Sequence, residues 1–169
     1  VYADWTASGR LYRPIETRLL ESFGPFVGNT HSESSETGRA MTLAYHEAHR
    51  ILKAHANAGP DDLIISTGTG MTGVINKFQR ILGLKAPQGL RRFLNLTEAE
   101  RPVVFITHME HHSNQTSWYE TIADVVVVPP DEQGLVDLAA LESLLHDYRD
   151  RPLKIGAFTA CSNVTCVST

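Results

Sequence analysis

Residues 103–114 read VVFITHMEHHSN, a short run from Val103 to Thr107 with no charged or amide residue inside it, followed by a polar turn dense in histidine. An apolar run of that length without polar alternation is the mark of a strand buried on both faces, as in a parallel sheet covered by helices. Working outward, Val125–Val128 and Leu153–Thr159 read as further strands, and Leu63–Ser66 as one upstream. Between them, Met71, Val74, Ile75, Phe78, Ile81 and Leu82 recur at helical spacing, and Leu138, Leu141, Leu144, Leu145 and Tyr148 do so behind an Asp137 N-cap. Helices are therefore expected over about 71–82, 112–122 and 137–149. The alternation predicts an α/β fold, a partial three-layer parallel sheet with helices on both faces.

Before this region the chain is irregular and then helical. Gly24, Pro25, Gly28, Asn29 and the Ser/Thr-rich run Thr30–Thr37 read as a loop. A helix is expected from about Gly38, with Leu43, Ala44, Ala48, Ile51 and Leu52 on one side, stopped by Asn57-Ala58-Gly59-Pro60. The division that follows is 1–59, an N-terminal loop and helical segment, and 60–169, a partial α/β domain expected, from the segments described below, to bind a cofactor. Residues 86–101, with Pro87, Gly89 and Arg91-Arg92, read as a surface insertion.

Composition excludes several function classes. The 169 residues carry 15 Lys and Arg against 19 Asp and Glu, a formal charge of −4, with no long basic run to grip nucleic acid or an anionic membrane. The apolar runs are far shorter than the roughly 20 residues that a membrane-spanning helix needs. The opening residues lack the basic start and apolar middle of a secretion signal. Cys161 and Cys166 lie too close in sequence for a bridge to constrain much chain, so reduced thiols in a cytoplasmic setting are expected, packed as small apolar fillers.

In an open parallel sheet, ligands sit beyond the carboxyl ends of the strands. Three segments occupy such places. Ser66-Thr67-Gly68-Thr69-Gly70-Met71-Thr72-Gly73 joins a strand to an amphipathic helix, and its glycines and helix start suit a phosphate at Gly70, Met71 and Thr72. A bare capped turn is the bland alternative. Gly68, Gly70 and Gly73 also satisfy the dinucleotide fingerprint, but no acidic residue follows at the expected distance, which keeps a nicotinamide-binding Rossmann domain as the second reading.

The second segment packs His108, His111, His112 and Glu110 into five positions, but their spacing matches no zinc motif, and no metal site is expected. A neutral imidazole there can lie against an aromatic cofactor and exchange protons, or the cluster simply caps a helix. In the third segment, Asn163 either presents its amide to a ring oxygen or closes a turn. A phosphate cradle, a histidine platform and an amide together suit a phosphorylated, flat, ionisable heteroaromatic, and pyridoxal 5'-phosphate fits that description.

With these residues in view, the chain resembles the class V aminotransferase family, pyridoxal-phosphate enzymes that include cysteine desulfurases and selenocysteine lyases. Tyr2-Ala3-Asp4-Trp5-Thr6-Ala7-Ser8, Gly28-Asn29-Thr30-His31-Ser32, Gly70-Met71-Thr72, Glu110-His111-His112-Ser113-Asn114 with Trp118, and Ser162-Asn163-Val164-Thr165 match its segments in order. The resemblance implies the first half of the large domain of a fold-type I pyridoxal-phosphate enzyme acting on an amino acid. It implies that His111 stacks on the cofactor ring and assists proton transfer, that Gly70, Met71 and Thr72 hold the phosphate, and that Asn163 contacts the ring oxygen. Ala7, Asn29 and His31 are implied substrate-side walls. The family's Schiff-base lysine, pyridine-binding Asp, carboxylate-binding Arg and sulfur-accepting Cys lie beyond residue 169. The resemblance thus implies an incomplete site, needing the remainder of the large domain and a homodimer of the full-length enzyme. A non-catalytic fragment is the third reading. Lys53, Lys77, Lys85 and Lys154 read as solvated positions.

Overall fold

A computed structural model describes residues 1–169 apart from Asp4, Thr6, Ala7, Ser8 and Thr69. The chain divides into two compact units, Val1–Ser66 and Thr67–Thr169.

In the first unit, α1 (Arg13–Arg18) starts with Pro14 in its first turn, where a missing N–H costs nothing. It runs into a widened turn at Leu19–Phe23 and a tight one at Gly24–Phe26, where Pro25 cannot continue a helix. The long helix α2 (Glu36–His55) is fixed at its start by Ser35, whose Oγ accepts from Gly38 N at 3.1 Å. The preceding loop is fastened to it, because His31 N donates to Thr42 Oγ1 at 3.0 Å and Thr42 Oγ1 donates to the Gly38 carbonyl at 2.7 Å. On the apolar side of α2, Leu43, Ile51 and Leu52 are all exposed.

The strand expected at Leu63–Ser66 is not formed. Those residues join no ladder, and Leu63 and Ile65 are exposed. A strand-like composition cannot hold a strand without a neighbour to take its N–H and C=O groups.

The second unit holds the sheet. Three parallel strands, β1 (Val103–Thr107), β2 (Asp124–Val128) and β3 (Lys154–Ala157), lie in the order β2-β1-β3, with Val103 opposite both Asp124 and Lys154. All five residues of β1 are buried, as the unbroken apolar run requires of a central strand. Side chains alternate between faces. Val104 and Ile106 meet Leu84 and Trp118, with Ile75 of α3 (Gly70–Ile81) packed alongside. Trp118 belongs to α4 (His112–Tyr119). On the other face Val103, Phe105 and Val128 meet Leu141, Leu144 and Tyr148, with Tyr148 edge-on to Phe105 at 5.8 Å. Leu141 and Leu144 lie in α5 (Leu138–Asp147), whose start is capped by Asp137 Oδ1, accepting from Ala140 N at 2.9 Å. Helices thus cover both faces of a parallel sheet, the architecture the alternation predicts.

Several boundaries are shorter than expected, for local reasons. The helix over 112–122 ends at Tyr119, because Thr121 turns its N–H and hydroxyl back to the Trp118 carbonyl. The strand over 153–159 ends at Ala157, and Thr159 N donates to Glu110 instead of extending the ladder. The 86–101 segment contains two tight turns, Gln88–Phe93 and Glu98–Glu100. Arg151 closes the sheet's lower end, donating to Asp124 Oδ2 at 2.9 Å, to the Arg101 carbonyl at 3.0 Å and to Glu98 Oε1 at 3.2 Å. No helix among the described residues is long and apolar enough to cross a membrane.

Candidate functional site

The carboxyl ends of β1 and β3, with the starts of α3 and α4, enclose a cavity of about 660 Å³. Met71 and Phe78 of α3 form one wall, His111, Ser113 and Trp118 a second, and the end of β3 with the lip after it, Phe158–Ala160, a third. Met71 and His111, assigned from sequence to a phosphate cradle and a ring platform, thus line one space.

At the α3 start, Gly70 has φ +65°, a conformation glycine takes freely, and a Cβ built there meets no atom within 4 Å. The first turn of any helix carries backbone N–H groups without intrahelical partners and the positive end of the dipole. Open space before such a turn fits a phosphate. Thr72 sits in this turn, and its carbonyl accepts from Asn76 Nδ2 at 2.9 Å. Gly70 and Thr72 are not themselves part of the cavity wall that Met71 joins.

The three histidines separate. His108 Nε2 contacts the Gly134 carbonyl at 3.1 Å, tying the turn after β1 to the loop before α5. His112 opens α4 and is exposed. His111 caps α4: its Nδ1 accepts from Ser113 N at 3.1 Å and lies 2.7 Å from Ser113 Oγ. With Nδ1 as the acceptor, the neutral ring carries its proton on Nε2. The capping and platform readings are therefore compatible, since the cap fixes the ring that lines the cavity.

Beneath His111 lies a polar network that sequence reasoning missed. Glu110 Oε1 accepts from Thr107 Oγ1 at 2.6 Å and from Thr159 N at 2.7 Å, while Oε2 accepts from Asn114 Nδ2 at 2.8 Å. Asn114 Oδ1 accepts from the indole of Trp118, which is only 1% exposed, at 3.0 Å. Ser117 Oγ donates to the Asn114 carbonyl at 2.8 Å and accepts from the buried Gln79 Nε2 at 3.0 Å. The four-residue spacing was the visible signal: Asn114 and Trp118 share one side of α4, and Glu110 stands just before its cap.

Other assignments fare differently. Asn163 is exposed in a turn outside the cavity wall, and Ser162, 3% exposed, closes that turn by accepting from Val164 N at 3.3 Å and Thr165 N at 3.2 Å. Asn29 and His31 are exposed in the first unit, His31 with φ +65°, and Ala7 lies outside the described residues. Cys161 and Cys166 are free and exposed, not the buried fillers expected; Cys166 sits at φ +59° on the turn beyond Ser162. Lys85 is also not solvated: its side chain is 16% exposed and its Nζ donates to Glu120 Oε2 at 2.9 Å, holding the Glu120 carboxyl below the usual carboxylate range.

The chain as a whole has recognisable relatives. The family model described as Aminotransferase class-V matches residues 1–168. A cysteine desulfurase of Synechococcus elongatus is 29% identical over 96% of this chain and 24% of its own length. A probable cysteine desulfurase of Halobacterium salinarum is 22% identical over 87% of this chain and 34% of its own. In three dimensions, the crystal structure of the cysteine desulfurase CsdA from Escherichia coli aligns with a TM-score of 0.62 at 23% identity, over 96% of this chain and 38% of that one. The chain thus spans about a quarter to two fifths of the length of the proteins it matches.

Proposed function

The chain belongs to the aminotransferase class-V family, and from that premise we propose that it forms part of a pyridoxal-phosphate-dependent enzyme acting on the sulfur or selenium of an amino acid, as a cysteine desulfurase or selenocysteine lyase does. What supports this reading is that Met71, in the first turn of α3, and His111, the cap of α4, line one cavity. Gly70, Met71 and Thr72 would hold the phosphate through backbone N–H groups and the α3 dipole. The His111 ring, fixed through Nδ1 by Ser113, would cover the ring face and carry a proton on Nε2 toward the ligand. Asn163 would orient the ring oxygen, which requires its exposed turn to meet further polypeptide. Asn29, His31 and Ala7 remain substrate-side residues of the first unit.

Pyridoxal phosphate, when bound, supplies an electron-withdrawing ring that labilises bonds at the amino acid's Cα and Cβ. The chain's own residues bind it, orient it and keep water from one face. The outer edge of β3 supports completion by further polypeptide: among the described residues β3 pairs only with β1, and a free parallel edge invites another strand. A homodimer of the full-length enzyme is part of the same proposal.

The test is titration of the 169-residue chain with pyridoxal phosphate, read by tryptophan fluorescence and by the visible circular dichroism of the bound ring. Saturable binding, competed by inorganic phosphate and not by nicotinamide dinucleotide, is the expected result. Competition by the dinucleotide instead would favour the Rossmann reading, and binding of neither would leave a non-catalytic fragment.

A further inference from the structure

Thr159 N has no ladder partner, since the β1–β3 register ends at Ile106 opposite Ala157. Its partner is the Glu110 carboxylate, 49 residues earlier in sequence. We propose that Glu110 is the positioning residue of the cavity: its carboxylate clasps the exit of β1 to the exit of β3, and so sets both His111 and the lip that face the ligand. This rests on the cavity being the pyridoxal phosphate site.

The chemistry of the clasp is specific. An ionised carboxylate is acceptor-only, and Glu110 meets three donors at 2.6–2.8 Å, from the Thr107 hydroxyl, the Thr159 amide and the Asn114 side chain. Asn114 is locked in turn. Its Nδ2 faces a group that only accepts, and its Oδ1 faces the Trp118 indole, which only donates. Neither end of that amide can be reversed without breaking a bond at a buried ring. His111 follows Glu110 in the chain, and Asn114 N donates to the His111 carbonyl at 2.9 Å, so the ring's backbone is gripped from both sides.

A glutamine at 110 would present an NH2 where at least one donor now points. Glu110→Gln should therefore open the clasp without emptying the core. Thr107→Val removes one donor from the carboxylate at nearly constant volume, and Thr107→Ser restores the hydroxyl.

In the 169-residue chain, without ligand, Glu110→Gln and Thr107→Val should raise Thr159 amide exchange about tenfold or more and shift the His111 ring signals in NMR, as expected for loss of a hydrogen bond to a charged group. With ligand, both should weaken pyridoxal phosphate about tenfold and diminish its visible circular dichroism, while inorganic phosphate, held at the α3 start, binds as before. Thr107→Ser should recover both properties. A residue that merely supports the fold would weaken pyridoxal phosphate and inorganic phosphate alike, and that result overturns the proposal, as does unchanged Thr159 exchange in Glu110→Gln. Should Glu110→Gln fail to fold, the Thr107→Val and Thr107→Ser pair decides. Failure of the unaltered chain to bind pyridoxal phosphate would instead sink the cofactor reading, while exchange at Thr159 still judges the clasp.

Discussion

Met71 and His111 stand 40 positions apart in sequence and face one cavity, because the turn that begins α3 and the turn that begins α4 open at the same end of the parallel sheet. The exit of β1 feeds the α4 start directly, whereas α3 follows no strand and is held against the sheet through Ile75. A cavity there is bounded by Met71, from the first turn of α3, on one side and by a capped imidazole on another. That combination suits an anionic, aromatic ligand, and it makes the individual contributions separable by substitution.

Gly70 separates the charge of the cradle from its shape. At φ +65° any L-residue is strained by about 1–2 kcal/mol, yet a side chain there meets open space. Gly70→Ala should therefore lower stability by about 1–2 kcal/mol and keep some phosphate affinity. Gly70→Asp should cost no more in stability, since Asp tolerates this conformation and favours a helix start, yet abolish phosphate binding by placing a carboxylate where the proposed phosphate would sit. Thermal unfolding and phosphate titration on the two variants check this. Equal phosphate affinity in both would show that the anion does not bind at this turn.

His111 has two duties that different substitutions divide. Asparagine is a good N-cap and alanine is not, a difference of about 1 kcal/mol in helix stability. His111→Asn should keep α4 and the stability of the chain while losing the ring that lines the cavity. His111→Ala should lose both, with the added stability loss of about 1 kcal/mol. Denaturant unfolding measures the first effect, and pyridoxal phosphate titration the second. If both variants unfold at the same denaturant concentration, the cap contributes nothing.

Gly38 lies in the first turn of α2, where glycine is ordinarily a defect that alanine would repair by about 1 kcal/mol. Here the sign should reverse. A Cβ at this position would stand 2.7 Å from the Ser32 carbonyl oxygen and 3.0 Å from Ser35 Oγ, the capping atom itself. Gly38→Ala must push the 28–35 loop away or lose the cap, and overpacking of this kind costs about 1–3 kcal/mol. Increased exchange at the His31 amide, which donates to Thr42, would accompany the loss of stability. A more stable variant would mean that the loop is not held against α2.

Much of the second unit is legible in the sequence because its signals are local. The unbroken apolar run of β1, the Asp137 cap and the apolar stripe behind Gly70 each state their structure within a few residues. What fails is what depends on a distant partner. Leu63–Ser66 has the composition of a strand but no neighbour to pair with, and the stripe on α2 has no surface to cover it among the described residues. Asn163 and Ser162 are adjacent turn-formers, and composition does not say which of the two closes the turn; Ser162 does, leaving Asn163 exposed. Glu110 looks like a candidate metal ligand because its neighbours are histidines. Of its true partners, the Thr107 hydroxyl is local, three residues back at the end of β1, but the Thr159 amide lies beyond β3, which only the folded sheet brings near. The apolar residues of α3 illustrate the same limit: Ile75 packs on the core as its spacing requires, yet Met71 and Phe78 face the cavity and stay exposed.

The Lys85–Glu120 pair gives the second unit a predictable response to acid. Glu120 is mostly exposed, but the Lys85 ammonium donates to it at 2.9 Å and the Arg91 guanidinium lies close, so its carboxyl titrates below the ordinary range. A carboxyl whose folded value is depressed contributes stability that is fully present above its unfolded value and is lost as pH falls through the folded one. The pair should therefore support the fold at neutral pH and release it in acid, with the effect reduced by salt because Glu120 is exposed. Lys85→Met should return the Glu120 titration toward an ordinary carboxylate, with the remaining depression due to Arg91. The variant's melting temperature should also change less between neutral and acid pH than that of the unaltered chain. Side-chain carboxyl NMR across the acid range reads the first effect and thermal unfolding the second. An unmoved Glu120 titration in Lys85→Met would assign the depression to Arg91 alone.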